Sequence, residues 1–359
     1  MTEALPRGAS IGILGGGQLG RMLSVAGARL GFRTHVFEPS GDPPAGQVAE
    51  QVTTARYDDE AALQTFGKSV DVITYEFENV PTSALDMLES IAPIRPGREA
   101  LRVSQDRIIE KDFLAQLGLD VAPYAAVDDA RSLDRALADI GTPAILKTRR
   151  FGYDGKGQSR LDSPHDAAQA LDDMAGAPAI LEGFVDFDRE ISVIVGRGQD
   201  GQISCFDPGE NVHVGGILRT TTVPASIDGV QQAAAVAAAE RIVDALDYVG
   251  VLGIEFFVTP NGLIVNEIAP RVHNSGHWTQ NGCAIDQFEQ HVRAITGWPL
   301  GDGRRHSDVT MTNLIGDDLD RLADFSSTAD LSIHLYGKAE VKPDRKMGHI
   351  NRVTGSASL

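Results

Sequence analysis

Cysteine is nearly absent from this 359-residue chain, which has only Cys205 and Cys283. A disulfide scaffold is thereby excluded, no zinc-type Cys/His spacing is present, and so little thiol suits a reducing compartment. Positive charge is scarce too: 32 Lys and Arg stand against 50 Asp and Glu, a net charge of −18. A nucleic-acid binder needs a basic face to neutralise phosphates, so that class is excluded. A small anionic substrate is compatible if the few cations gather in one place. No window approaches ~18 uninterrupted apolar residues, and the N-terminus has no signal-like pattern, so a cytoplasmic protein without membrane contact is expected. What is present, 42% hydrophobic and 23% charged residues, is globular in kind, and the length calls for two or three domains.

Glycine is plentiful, and it clusters. Behind an apolar run that ends on Lys147 lies FGYDGKGQ at 151–158, with Gly152, Gly155 and Gly157 interleaved with Tyr153, Asp154 and Lys156. Glycine packs nothing; it lets backbone N–H groups come close to an anion, so the stretch is either a phosphate-cradling loop or an exposed turn. Earlier, the strand Ser10–Leu14 runs into GGGQLGRM. Gly15, Gly17 and Gly20 fit the dinucleotide fingerprint, with Glu38 about 20 residues on, where a ribose-binding carboxylate belongs. An NAD-dependent oxidoreductase is thus one reading of the N-terminus; a tight βαβ turn without dinucleotide is the other. A strand at 70–75 leads to Glu76 and Glu78, acids at the crevice end of an open α/β sheet.

The spacing further predicts a helix capped by Ser104 and running to Leu117, with Arg107 and Lys111 on one face, a solvated stripe unless Arg107 faces a phosphate. Helices are expected at 132–140, 165–174 and 226–248. Glu182-Gly183-Phe184-Val185, followed by Glu190 on a strand, suits a nucleoside slot or a plain connector. His213 is either a ligand contact or an ordinary hydrogen-bonded histidine.

Two strands, 252–259 and 263–268, flank Pro260-Asn261-Gly262. A three-residue loop there pairs Thr259 with Leu263 and sets Glu255 opposite Glu267 on one face. Opposed carboxylates repel unless a cation lies between them. With Asn266 adjacent and a glycine loop upstream, the pair reads as a magnesium site. A dense donor set follows at 271–278, and a basic cluster, including Lys346 and Arg352, lies near the C-terminus.

Lys147, FGYDGKGQ, Glu182 to Val185, Glu190, Glu255 and Asn266-Glu267 resemble the ATP-grasp enzymes. GGGQLGRM, YEFENV at 75–80, RVHNSGHWT at 271–279 and RKMGHI at 345–350 are similar to the N5-carboxyaminoimidazole ribonucleotide synthetases of purine biosynthesis, across nearly the whole chain. The resemblance implies an α/β and α+β ATP-grasp architecture: a Rossmann-like domain at 1–104, a small α+β lid at 105–185 and a C-terminal α+β domain at 186–359. It implies a ligase using ATP, Mg2+ and bicarbonate to carboxylate 5-aminoimidazole ribonucleotide through carboxyphosphate, as a cytoplasmic homodimer. ATP would be met by Arg107, Lys147, Gly152, Tyr153, Asp154, Gly155, Lys156, Gly157, Gln158, Glu182, Gly183, Phe184, Val185, Glu190, His213, Asn266 and Glu267, and the metal by Glu255 and Glu267. The ribonucleotide would be held by Gly15, Gly16, Gly17, Gln18, Leu19, Glu76, Tyr153, Asp154, Arg271, His273, Asn274, Ser275, Lys346 and Arg352. Asp154, Lys147, Arg271 and Lys346 would act in catalysis, with Asp154 orienting the amine or taking its proton. Another ATP-grasp carboxylate-amine ligase, or a nucleotide-sensing module without catalysis, are the neighbouring possibilities.

Overall fold

Three sheets, one after another along the chain, organise the computed structural model, which describes residues 4–152 and 155–356. The first is parallel. β1 (Ser10–Leu14), β2 (Arg33–Phe37), β3 (Gln51–Thr53) and β4 (Val72–Tyr75) lie in the order β3-β2-β1-β4. The order reverses at β1, and ligand crevices in open α/β sheets form outside strand ends at such a point. Both the 15–20 turn and residues 76–78 leave the sheet there.

The second sheet is small and antiparallel, with β5 (Tyr124–Val127), β6 (Ala144–Thr148), β7 (Gln158–Leu161) and β8 (Ala179–Gly183) ordered β5-β8-β6-β7. It has its own core around Leu133, Leu137, Leu146, Leu161 and Leu181. Its helices differ from the sequence expectation at their ends. Asp129, not Ser132, caps Ala130–Ile140, with Ser132 completing a capping box. The stretch 165–174 is one 3-10 turn and a short helix, Ala167–Asp173.

The third sheet begins with β9 (Arg189–Arg197), β10 (Ile203–Cys205), β11 (Gly209–Val214), β12 (Ile217–Val223), β13 (Gly250–Thr259) and β14 (Gly262–Ala269). It continues with β15 (Ser307–Ile315), β16 (Leu331–Leu335) and β17 (Lys346–Ser356). The order is β14-β13-β9-β11-β12-β15-β17-β16, with β10 on β9. One face of β9, β13 and β14 is apolar (Ile191, Val193, Ile254, Phe256, Val265, Ile268) and packs on the helix Gly229–Ala245, whose Ala235, Ala238 and Ala239 permit close approach. Asp228 caps that helix, so it is shorter than the 226–248 expected. The opposite face carries the carboxylates.

Two expectations fail locally. The helix expected from Ser104 to Leu117 spans Arg107–Gln116, because Asp106 caps it through the Ile108 N–H, while Ser104 ends a separate helix, Arg98–Ser104. The β13–β14 turn is also shorter than expected: Thr259 pairs with Gly262, not with Leu263. That register would turn the two acids to opposite faces. A bulge corrects it, since Phe256 pairs with Val265 but Glu255 pairs with Glu267, leaving Asn266 as the extra residue. The acids face each other, though for a reason the turn alone does not supply.

Candidate active site

Directly opposed residues of neighbouring strands share a face, so the register builds the site. Glu255 is opposite Glu267 on β14 and Ser192 on β9, and Glu190, two residues before Ser192, points the same way. Burial, then Glu267, pushes the Glu255 carboxyl up to about 7, with Glu190 adding to it and the His213 imidazole opposing. Burial would also raise Glu267, but Arg107 Nη1 donates to its Oε2 at 3.0 Å and, with Lys147 and Lys111, holds it below the usual carboxylate range. Asn266 Nδ2 reaches Glu255 Oε2 at 3.5 Å, and His273 Nε2 lies 3.7 Å from Glu255 Oε1. The pair is half-buried, and the neighbouring cations act chiefly on Glu267, which leaves Glu255 short of positive charge. Hard oxygen donors of this kind fit Mg2+, which completes its shell with water and phosphate oxygens. Among the described residues no group of three or more His, Cys, Asp or Glu side chains could hold a metal alone.

Across from this pair stand the strand ends of the small sheet. Lys147 Nζ donates to Glu182 Oε2 at 2.9 Å, and both are largely buried. Lys147, then Lys111 at 3.9 Å, overcome the burial of Glu182 and hold its carboxyl below the usual range. Its other oxygen, Oε1, is buried without a hydrogen-bond partner, which fits the amino group of a base. The N–H groups of Gly183 and Phe184 are bonded to the carbonyls of Pro123 and Pro143, so these two residues shape the slot while their amides serve the small domain. Phe184 is exposed under the Arg160 guanidinium, 4.3 Å from its ring centre, and Val185 is half-buried. On β11 and β9, His213 Nδ1 lies 2.8 Å from Glu190 Oε2. Burial lowers that imidazole, but Glu190 and Glu255 raise it above its usual range.

The glycine loop runs from Gly152 to Gln158, the first residue of β7. Gly155 and Gly157 have φ of 75° and 69°, and a Cβ on Gly157 would come 2.7 Å from Thr148 Oγ1. Gly155 abuts the Gly215-Gly216 tip of the β11–β12 hairpin, so closely that a Cβ would lie 3.2 Å from the Gly216 Cα. Lys156 is exposed within the turn. Tyr153 and Asp154 lie outside the described residues.

At the first sheet, the structure corrects the dinucleotide interpretation. The amides that would bind a pyrophosphate are occupied by this chain's own carboxylates: Gly16 N–H donates to Glu38 Oε2 at 2.8 Å, and Gly17 and Gly20 donate to the two oxygens of Glu76 at 2.5 and 2.9 Å. Cβ atoms on Gly15, Gly16 and Gly17 would collide at 2.5 Å with Glu76 Cγ, Pro43 Cβ and Glu76 Oε1, so glycine admits these neighbours, not a nucleotide. Gln18 and Leu19 open the helix Gln18–Arg29 behind them.

Glu78 meets Arg271, the residue two beyond β14, through Arg271 Nε at 2.5 Å and Nη2 at 3.3 Å. This pair brings the 76–79 loop to the 271–275 loop. Gly253 leaves room for His273, whose Cβ would be 2.6 Å from a Gly253 Cβ. Burial, Arg271 and Lys346 drive the His273 imidazole down to about 3, so it is neutral, with Nδ1 2.8 Å from Ser275 Oγ. Ser275 accepts from Ser192 at 2.7 Å, and Asn274 exchanges two hydrogen bonds with Asn313. Lys346, at the start of β17, is close enough to lower both His213 and His273. Arg352 is not. Asn313 pairs with His349 and Thr310 with Arg352, an odd number of residues apart, so Arg352 is on the other face of the sheet from Asn274, ion-paired to Asp330 at 3.4 Å. Its assignment to the substrate pocket is withdrawn.

Several residues were not assigned to the site from the sequence. Lys111 is 1% exposed, where its spacing from Arg107 had suggested a solvated stripe, and its neighbour Glu110 is 2% exposed. Arg149, which the resemblance left without a role, makes two bonds to Asp106 at 3.0 and 2.7 Å, and Arg150 donates to Gln105. The signal available was the cluster of charges flanking a break between helices.

Three family models match in succession: a ribonucleotide synthetase preATP-grasp domain at 9–105, an ATP-grasp domain at 112–288, and a phosphoribosylaminoimidazole carboxylase C-terminal domain at 309–358. The N5-carboxyaminoimidazole ribonucleotide synthase of Brucella melitensis is 53% identical over 354 residues, covering 98% of both chains, and that of Bacillus subtilis is 43% identical over 96% of this chain and 91% of its own. An N5-carboxyaminoimidazole ribonucleotide synthetase solved as its ADP complex superposes with a TM-score of 0.96 at 41% identity, covering 99% of this chain and 94% of that one. The Aspergillus clavatus N5-carboxyaminoimidazole synthase, solved with ADP and 5-aminoimidazole ribonucleotide, gives 0.92 at 31% identity over 98% and 95%. The chain belongs to the N5-carboxyaminoimidazole ribonucleotide synthase family of ATP-grasp ligases.

Proposed function

We propose that the protein carboxylates the exocyclic amine of 5-aminoimidazole ribonucleotide, using ATP and bicarbonate. One observation carries this: the nucleotide-side residues Lys147 and Glu182 and the substrate-side residues Arg271 and His273 converge on a single pair of opposed acids, Glu255 and Glu267. Bicarbonate is a poor electrophile and hydroxide a poor leaving group. Its oxygen therefore attacks the γ-phosphorus of ATP, releasing ADP and forming carboxyphosphate. The amine nitrogen then attacks the carboxyl carbon, phosphate leaves with the bonding pair, and the nitrogen loses a proton.

Each residue has a defined task in that sequence. Lys147 exchanges Glu182 for a phosphate oxygen, and Arg107, in the same charge cluster, offsets the charge spread over the transferring group. Glu182 Oε1 and the Phe184 ring bound the base, while Glu190 is assigned the ribose and His213, 2.8 Å from it, the phosphates. Glu255 and Glu267 would hold Mg2+, which when bound neutralises phosphate charge. Neutral His273, Asn274 and Ser275 position the ribonucleotide, with Lys346 and Arg271 supplying positive charge for its phosphate. Asp154, by its place in the glycine loop, is assigned the amine proton. The loop closes to keep water from the mixed anhydride. Action in the cytoplasm and as a homodimer accords with the low thiol content and the family.

The test is coupled ADP release from purified protein. Turnover should need both bicarbonate and 5-aminoimidazole ribonucleotide. ADP release indifferent to either compound, or saturable binding of NAD(P)H, would refute the proposal.

A further inference from the structure

β14 is the edge of the nine-stranded sheet; its Val265 N–H bonds the Asp120 carbonyl, and Val265 and Ile268, on either side of Asn266 and Glu267, are buried. The helix Arg107–Gln116 lies along them, anchored by Ile109, Phe113 and Leu114 in the core shared with the helix Gly229–Ala245. Two of its side chains pair with the edge as a further strand would. Lys111 Nζ donates to the Asn266 carbonyl at 2.6 Å, and Glu110 Oε1 accepts from the Ile268 N–H at 2.7 Å. These contacts lie on either side of Glu267, within the bulge. A bulge leaves one residue unpaired and disrupts the ladder locally; the buried Val265 and Ile268 fix which way the strand faces, but not the backbone between them. Apolar residues would pack against an edge more cheaply than a buried ammonium and carboxyl, which need strict hydrogen-bond geometry.

We propose that Lys111 and Glu110 are positioning residues that grip the Asn266 bulge, hold Glu267 square to Glu255, and thereby set the affinity for the divalent cation that accompanies the nucleotide. This rests on the metal role given to the acid pair above. A purely structural role would lower stability without changing how strongly the cation assists nucleotide binding.

The experiment is calorimetric titration of the full-length protein with ADP, across a series of Mg2+ concentrations. Wild type should bind ADP more tightly with Mg2+; if it does not, the metal reading itself fails, whatever the variants do. In Lys111→Met, which keeps the length and loses the donor, the ratio of ADP affinities with and without Mg2+ should fall about tenfold or more, as for other groups that orient a metal ligand. Taking the ratio cancels any effect of Lys111 on Glu182 and the nucleotide itself. Glu110→Gln keeps an oxygen for the Ile268 N–H and should retain most of the ratio, whereas Glu110→Ala should lose it. If Lys111→Met does not fold, Lys111→Arg serves, with an expected loss of about threefold because a planar fork replaces a point donor. A folded Lys111 variant with the wild-type ratio, or equal ratios in Glu110→Gln and Glu110→Ala, overturns the proposal.

Discussion

Glu110 is a carboxyl with almost no water contact, and burial pushes it up to about 8 despite Lys111 beside it. In the unfolded chain it titrates near 4.5. Its folded value is the higher one, so the native state binds the extra proton, and the stability this contributes is whole below about 4.5 and lost as pH rises through about 8. Glu110→Gln cannot ionise. Its melting temperature should therefore gain on wild type between pH 5 and pH 9, and parallel melts would refute the assignment. Glu267 has the opposite character, an acid kept ionised by Arg107. Glu267→Ala strands that guanidinium and removes a proposed cation ligand, so kcat should fall by roughly 10² or more in the coupled assay. The acid pair was legible in the sequence, because two carboxylates in apolar strands flanking a tight turn have few structural uses. Lys111 was not legible. Its i, i+4 spacing from Arg107 is the same on a solvated helix, and only the strand from another part of the chain makes it an interior residue.

Helices and strands were read correctly where an apolar period ran through them, and misread where one polar residue decided a boundary. Asp106 and Asp228 cap helices whose starts hydrophobicity places elsewhere. The bulge at Asn266 is harder still, since its only trace is a polar residue between Val265 and Glu267. The first glycine turn shows the same limit from the other side. Its spacing is right for a dinucleotide, but the acid that fills it, Glu76, is 59 residues from Gly17. Glu76→Ala leaves the Gly17 and Gly20 amides without acceptors at a helix start. A loss of about 1–3 kcal/mol of stability is expected, measurable by denaturant unfolding. An unchanged midpoint would mean that water replaces the carboxylate fully.

For the whole molecule, the first and third sheets share one core, in which Ile11, Ile13 and Leu23 join Ile194, Trp278 and Phe288, while the middle sheet keeps a core of its own. No helix among the described residues is long and apolar enough to cross a membrane. The middle domain is tied to its neighbours by polar pairs, Arg149 with Asp106 and Arg150 with Gln105, and by Lys147 and Lys111 through Glu182. Polar ties of this kind suit a body that moves. Arg149→Ala should raise KM for ATP several-fold and speed amide exchange across 124–183, with little change in melting temperature. Unaltered exchange would show that the tie does not restrain the domain.

The meeting of Gly155 with Gly215 and Gly216 has a consequence for fidelity. Two backbones approach there with no side chains between them, and a methyl group on Gly155 would press on Gly216. The anhydride of the proposed reaction, waiting for its amine, would then be guarded by the absence of atoms. Under the reaction proposed above, Gly155→Ala should therefore raise the release of ADP that yields no carboxylated product, spending nucleotide on solvent.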